Sequence, residues 1–201
     1  MKLGLLKYSV GNIKSLISYF ENLGFDIKVI ESSKEFINFD SIILPGVGSF
    51  SSAVKFLNQN NFYDALHDHH RKKKKIIGIC LGFQLFSKNS NENNQISEGL
   101  NFIDTRVCHL SELVNYESQR IPHIGWNFLN QDKNKPYYFL HSYGIPIEEI
   151  KKCDFDKLDY CDYQGIKIAS LFENKNLLGI QFHPEKSCGS FDKELLKFLN
   201  K

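Results

Sequence analysis

Cys80 stands between Gly78 and Gly82, where an apolar strand-like run meets a helix-like one in the order Lys-Ile-Ile-Gly-Ile-Cys-Leu-Gly-Phe-Gln-Leu-Phe. Glycines two residues either side of a central residue are the spacing of a nucleophile elbow. The central residue is strained, and its neighbours lack a Cβ so that strand and helix can pack closely. A thiol in that place sits at a helix N-terminus, where unpaired N–H groups and the positive end of the helix dipole favour the reactive thiolate. Taken alone, the turn reads equally well as a buried structural cysteine. A second stretch, Leu177 to Ser187, supplies what a nucleophile needs. His183 and Glu185 are two apart, so on extended backbone they face one side and the carboxylate can reach the imidazole. Pro184 holds His183 toward extended geometry and removes one backbone donor. A cysteine on an elbow, a histidine to take and return its proton and an acid to hold the histidine form a Cys-His-Glu set suited to acyl transfer through a thioester.

The elements that must position these groups alternate along the chain. Leu3 to Tyr8 reads as a strand, Asn12 as an N-cap, and Ile13, Leu16, Ile17, Phe20 and Leu23 recur at helical spacing until Gly24. Phe25 to Ile30, Ser41 to Leu44 and Ile76 to Ile79 read as buried strands, with helices predicted over Ser51 to Asn58 and Phe62 to His70. This order implies an α/β fold with a mainly parallel, doubly wound sheet and helices on both faces. Sites in such sheets form at the carboxyl ends of strands, and Cys80 follows one. From Thr105 onward short antiparallel strands are expected, including Tyr137 to Tyr143, Ile166 to Glu173 and Leu177 to His183, before a last helix from Phe191 to Leu199. No repeat or internal boundary divides residues 1–201, which read as a single domain; Asn89 to Gln95 is the expected loop.

Composition excludes several classes. A formal charge of +2 and the lack of a basic face or a long apolar span argue against nucleic acid or membrane as the main partner. Met1 to Tyr8 alternates Lys with Leu and reads as a strand, not a secretory core. Five cysteines without paired spacing suit a reducing cytosol and no structural zinc. His67, His69 and His70 lack the carboxylate or thiol that would complete a metal site and read as a solvated helix end; Arg71 to Lys75 reads as a solvated cationic loop. Gly46-Val47-Gly48 fits neither a dinucleotide fingerprint nor a P-loop, so no cofactor is expected.

Gly-Ile-Cys-Leu-Gly-Phe-Gln (Gly78 to Gln84) with Phe-His-Pro-Glu (Phe182 to Glu185) closely resembles the class I, triad-type glutamine amidotransferases, which release ammonia from glutamine. Leu44 to Phe50, Pro122 to Asn127, Phe139 to Tyr143 and Gln181 to Ser187 narrow the resemblance to the glutaminase subunits of imidazole glycerol phosphate synthases, in histidine biosynthesis. The resemblance implies that Cys80 attacks the glutamine carboxamide, that His183 protonates the leaving ammonia and later activates water, and that Glu185 orients His183. It also implies oxyanion donors from the backbone around Gly48 and from Leu81, substrate contacts from Gln84, Ser142 and Tyr143, and a partner-facing surface with Asn12, Trp126 and Lys186. The implied partner is a (β/α)₈-barrel cyclase subunit, which receives the ammonia because this chain has no acceptor site. One departure bears on that partner: the family begins with an acidic residue, Tyr, Gly, any residue, Gly, Asn, whereas this chain has Lys7-Tyr8-Ser9-Val10-Gly11-Asn12. A paralogous glutaminase feeding a sugar amidotransferase of surface-glycan synthesis is therefore the alternative. The intact Cys80, His183 and Glu185 set argues against a non-catalytic interaction module or a redox-thiol protein.

Overall fold

The computed structural model describes residues 1–8, 13–46, 48–92, 95–113 and 120–201. In chain order the first half contains β1 (Lys2–Leu6), α1 (Lys14–Asn22), β2 (Asp26–Ile30), β3 (Ser41–Leu44), α2 (Phe50–Gln59), α3 (Phe62–Arg71), β4 (Lys75–Ile79) and the single-turn α4 (Leu81–Gln84). There follow β5 (Ser87–Ser90), β6 (Ser97–Glu98), β7 (Ile103–His109), β8 (His123–Phe128), β9 (Pro136–His141), β10 (Tyr143–Gly144) and α5 (Ile147–Ile150). The chain closes with β11 (Lys157–Tyr163), β12 (Ile166–Asn174), β13 (Leu177–Ile180) and α6 (Asp192–Leu199).

The main sheet has seven strands in the order β11-β12-β13-β4-β3-β1-β2. β2, β1, β3, β4 and β13 run parallel, and β12 and β11 add antiparallel strands at one edge. Apolar β-branched runs such as Ser-Ile-Ile-Leu are buried along their whole length because both faces of a parallel sheet are covered. The alternation of a strand divides the core in two: Ile42, Leu44 and Ile76 pack with α2 and α3, whereas Ile43, Ile77 and Ile79 pack with α1 and α6. This is the mainly parallel sheet with helices on both faces that the strand and helix order predicts. A four-stranded sheet, β10-β7-β5-β6, and the hairpin β8-β9 complete the structure.

Three expectations are corrected. Asn89 and Ser90 do not belong to a loop; they end β5, which pairs with β6 and β7, because Ser87 and Ser90 turn inward on an otherwise polar segment. His69 is buried, edge-on to the Phe36 ring, while His67 and His70 pack on Phe102, so this helix end is not solvated. The cationic run is only partly a solvated loop: Lys75 lies in β4 and donates to the Leu199 carbonyl at 2.7 Å, and Lys74 donates to that of Phe39 at 2.8 Å. Asn12, expected as an N-cap and as a partner-facing residue, lies outside the described residues, as does Val47. No helix among the described residues is long and apolar enough to cross a membrane.

Candidate active site

Cys80 joins β4 to α4 with φ 49° and ψ −105°, outside the regions that ordinary residues occupy. The two glycines have the reason the spacing predicts. A Cβ on Gly78 would fall 2.5 Å from the Gly82 carbonyl oxygen, and one on Gly82 would fall 2.0 Å from that of Leu44. The helix turn therefore folds back directly over β4 and β3, and no side chain fits between them. The Cys80 N–H donates to the Ile180 carbonyl at 2.7 Å, fixing the elbow to the end of β13.

β13 is the parallel neighbour of β4, with Ile180 level with Ile79, so the chain that leaves β13 runs alongside Cys80. His183 is extended (φ −99°, ψ 101°), as a residue before proline should be. Glu185, however, is not on extended backbone. Pro184–Lys186 form a turn of 3₁₀ helix, started by the proline, and the Glu185 carboxylate folds back to His183 Nδ1 at 2.9 Å. Ser187 closes this turn: its hydroxyl donates to the His183 carbonyl at 2.6 Å and accepts from the Tyr138 N–H at 3.1 Å, which ties the turn to β9.

A carboxylate only accepts, so His183 Nδ1 carries a proton in this contact and Nε2 is the nitrogen left to take up or release one. Nε2 is buried and has no hydrogen-bond partner in the described structure. Gly46 marks how closely the two residues approach, since a Cβ there would meet Cys80 Cβ at 2.8 Å and His183 Cε1 at 3.1 Å. Burial by itself lowers the His183 pKa, but the negative charge available at Cys80 and then the Glu185 carboxylate outweigh it, and the pKa is raised to about 10. The three side chains are thus brought together in an arrangement that can supply a nucleophile, a proton carrier and an acid to orient it.

A cleft of about 300 Å³ opens in front of Cys80. Gly48, Leu81, Gln84, Ser142 and Tyr143, the residues implied for substrate and oxyanion binding, all line it. Trp126 and Lys186 lie outside the cleft and both meet Tyr138: Lys186 Nζ sits 5.3 Å over its ring, and the Trp126 and Tyr138 ring centroids are 5.6 Å apart in an edge-to-face arrangement. Among the described residues no cluster of His, Cys, Asp and Glu could hold a metal ion.

Sequence reasoning missed three residues at this site. Glu92 lines the cleft and its carboxylate accepts from the Phe50 N–H at 2.6 Å at the start of α2; it lies in an Asn-rich stretch without periodicity. His141 lines the cleft too, buried and hydrogen-bonded to His123 at 3.2 Å and to the Tyr143 carbonyl at 2.9 Å. Gln181 is fully buried, with Nε2 3.4 Å from Cys80 Sγ. Its signal was available, because it follows β13 as Cys80 follows β4.

The family profile of glutamine amidotransferase class-I matches residues 5–200. The chain is 37% identical over 198 residues to an imidazole glycerol phosphate synthase subunit HisH of Prochlorococcus marinus, with 93% of this chain and 88% of that protein covered. It is 35% identical to the chloroplastic imidazole glycerol phosphate synthase hisHF of Arabidopsis thaliana, covering 91% of this chain and 31% of that longer protein. Its fold is similar to a chain in the structure of PurLQS from Thermotoga maritima, with a TM-score of 0.73 and 15% identity over 99% of this chain and 97% of that one. The chain belongs to the class-I glutamine amidotransferases and, within them, to the HisH subunit family of imidazole glycerol phosphate synthase.

Proposed function

We propose that residues 1–201 act as one amidotransferase unit that hydrolyses glutamine and hands the ammonia to a (β/α)₈-barrel cyclase subunit docked on the β8-β9 hairpin, for imidazole glycerol phosphate synthesis. Cys80 Sγ attacks the δ-carbonyl carbon of glutamine, and the oxygen becomes an oxyanion facing the backbone donors of Gly48 and Leu81. His183, holding the proton of the thiol, gives it from Nε2 to the departing nitrogen; the C–N bond breaks and ammonia leaves behind a thioester. Nε2 then takes a proton from water, whose oxygen attacks the thioester carbon, and the C–S bond breaks to give glutamate. Glu185 holds the imidazole in the tautomer these steps need and offsets its charge. Glutamine brings an ammonium group into the cleft, and the Glu92 carboxylate in the wall suits it, with Gln84, Ser142 and Tyr143 for the polar remainder.

The observation that supports the partner is Leu140. Its side chain belongs to an exposed apolar face of the hairpin, with Ile124 57%, Trp126 51%, Phe128 45% and Leu140 40% exposed. Soluble monomers rarely display so contiguous a patch. The Leu140 carbonyl meanwhile lies 3.7 Å from Cys80 Sγ, so a partner seated on this face bears directly on the nucleophile. Ammonia loose in neutral water is mostly protonated and unreactive, which is why its transfer should be coupled to docking. Five free cysteines fit work in the reducing cytosol.

Lys7, where the family has an acid, favours a second reading, in which the same glutaminase serves a sugar amidotransferase. Purified chain is mixed with a barrel cyclase of the HisH family's synthase and its acceptor substrate, and glutamate release is followed. Slow turnover alone and strong activation by the cyclase support the first reading; no activation favours the second. Cys80→Ala that still releases glutamate at the wild-type rate would refute both.

A further inference from the structure

We propose that Gln181 is a catalytic residue whose side-chain amide donates a hydrogen bond to the Cys80 thiolate, an assignment that rests on the nucleophilic role given to Cys80 above. Gln181 leaves β13 at the level where Cys80 leaves β4, so the two side chains meet across adjacent parallel strands. Its amide is fully buried, and Nε2 stands 3.4 Å from Cys80 Sγ, an ordinary N–H···S separation.

The orientation of that amide is not arbitrary. The Tyr143 carbonyl can only accept, so the Gln84 group 2.8 Å from it must be NH₂. The same nitrogen lies 3.1 Å from the Gln181 side chain, which must therefore present its oxygen there and turn its own NH₂ toward sulfur. His141 Nδ1 shares the Tyr143 carbonyl at 2.9 Å and pins it from the other side. Four groups in sequence leave one arrangement, and its last donor ends on the nucleophile.

A buried amide that served only to fill space would be replaced at less cost by an apolar side chain of the same size. A neutral thiol is a weak acceptor, so it satisfies Gln181 poorly, and its own proton has an outlet toward the Leu140 carbonyl at 3.7 Å. Once that proton has gone to His183, sulfur becomes a strong acceptor and the Leu140 oxygen a repulsive neighbour. Gln181 is then a side-chain donor in contact with the charge, beside the imidazolium that took the proton. It acts twice, in the resting ion pair and again when the thiolate departs from the tetrahedral intermediate after water has attacked.

The test uses full-length Gln181→Met and Gln181→Glu. Methionine keeps the length and removes the donor; glutamate keeps the shape and the bond from Gln84 but sets an acceptor against sulfur. Alkylation of Cys80 by iodoacetamide, followed on the Cys80 peptide by mass spectrometry, needs neither glutamine nor partner. In Gln181→Met it should slow about tenfold at pH 7, the value expected for one hydrogen bond to a charged group, and recover toward the wild-type rate at pH 10. Gln181→Glu should be slower still, and both should lower kcat in the complex with little change in KM for glutamine. Alkylation by Gln181→Glu at the wild-type rate across the pH range, in protein whose melting is unchanged, would overturn the assignment. Loss of glutamine hydrolysis in Cys80→Ala keeps the two readings separable, because it tests the role of Cys80 without touching Gln181.

Discussion

Acidification from pH 7 to pH 5 should remove much of this protein's stability through three histidines. His69, His123 and His141 are 3%, 2% and 6% exposed. Burial lowers all three, helped by Lys74 at His69 and by His123 and His183 at His141, so that the folded values lie at about 4, 4 and 3 against an ordinary 6.5. A folded value below the unfolded one means that the unfolded chain binds more protons between the two, so stability is present above about pH 6.5 and is lost as the pH falls. At pH 5 all three remain neutral in the folded protein, and the loss depends only on their unfolded value. Each costs about 1.4 × 1.5, or about 2 kcal/mol, and the three together about 6 kcal/mol. That is a large share of the roughly 5–15 kcal/mol by which domains are stable. His183 acts in the opposite sense: raised to about 10, it stabilises fully below pH 6.5 and its contribution is lost on the alkaline side as the pH climbs toward 10. Urea unfolding at the two pH values measures the acid term, and His69→Leu, at a residue that does not line the Cys80 cleft, should reduce it by about 2 kcal/mol. A wild-type protein that loses less than about 1 kcal/mol between pH 7 and 5, or a His69→Leu variant with the same loss, would show that these histidines are protonated in the folded state.

Gly82→Ala should destabilise the fold by at least about 1–3 kcal/mol, because its Cβ meets the Leu44 carbonyl at 2.0 Å and backbone cannot step aside; denaturant midpoints measure this. His183→Ala should reduce kcat by about 100-fold or more, and Glu185→Gln by less, since in the proposed reaction the acid holds the imidazole while the imidazole moves the proton; glutamate release in the complex ranks them. Lys186→Glu should weaken activation by the partner while the melting temperature stays unchanged, because Lys186 is exposed above the Tyr138 ring. Trp126→Ala should weaken partner binding by roughly tenfold or more, the usual loss for a central aromatic anchor, and calorimetric titration of the complex tests it.

The parallel strands of the main sheet and the helices against it were legible because each signal was local, whereas the edge strand β11 was not. Ser41–Leu44 and Lys75–Ile79 are short unbroken apolar runs, and α1, α2 and α3 carry a buried stripe against one sheet face or the other. β5 was not legible. Ser-Lys-Asn-Ser has no strand preference of its own and becomes a strand because β6 and β7 flank it. The histidines of α3 misled for a related reason: Phe36 and Phe102 bury them, and both are remote in sequence.

At the site, the same division separates what spacing can encode from what only the sheet order can. The elbow is encoded by spacing, since Gly78, Cys80 and Gly82 fall within one turn of chain and the collisions they avoid are with their own neighbours. The bond between His183 and Glu185 is encoded as well, although through a 3₁₀ turn and not through the extended geometry that proline suggested. Gln181 and Cys80 are a hundred residues apart and meet only because β13 returns to lie beside β4, after the chain has built the hairpin and the antiparallel edge. Leu140 reaches the thiol by a third route, from the end of β9, with Ser187 fixing that strand to the His183 turn. Cys80 is thus bounded by groups from β4, β13 and β9, and of these β9 alone also faces the exposed apolar surface. A force applied to that surface has a short path to sulfur through the Leu140 peptide and another to His183 through Tyr138 and Ser187. This shared strand is the physical reason to expect that docking changes the turnover rate before it changes the affinity for glutamine.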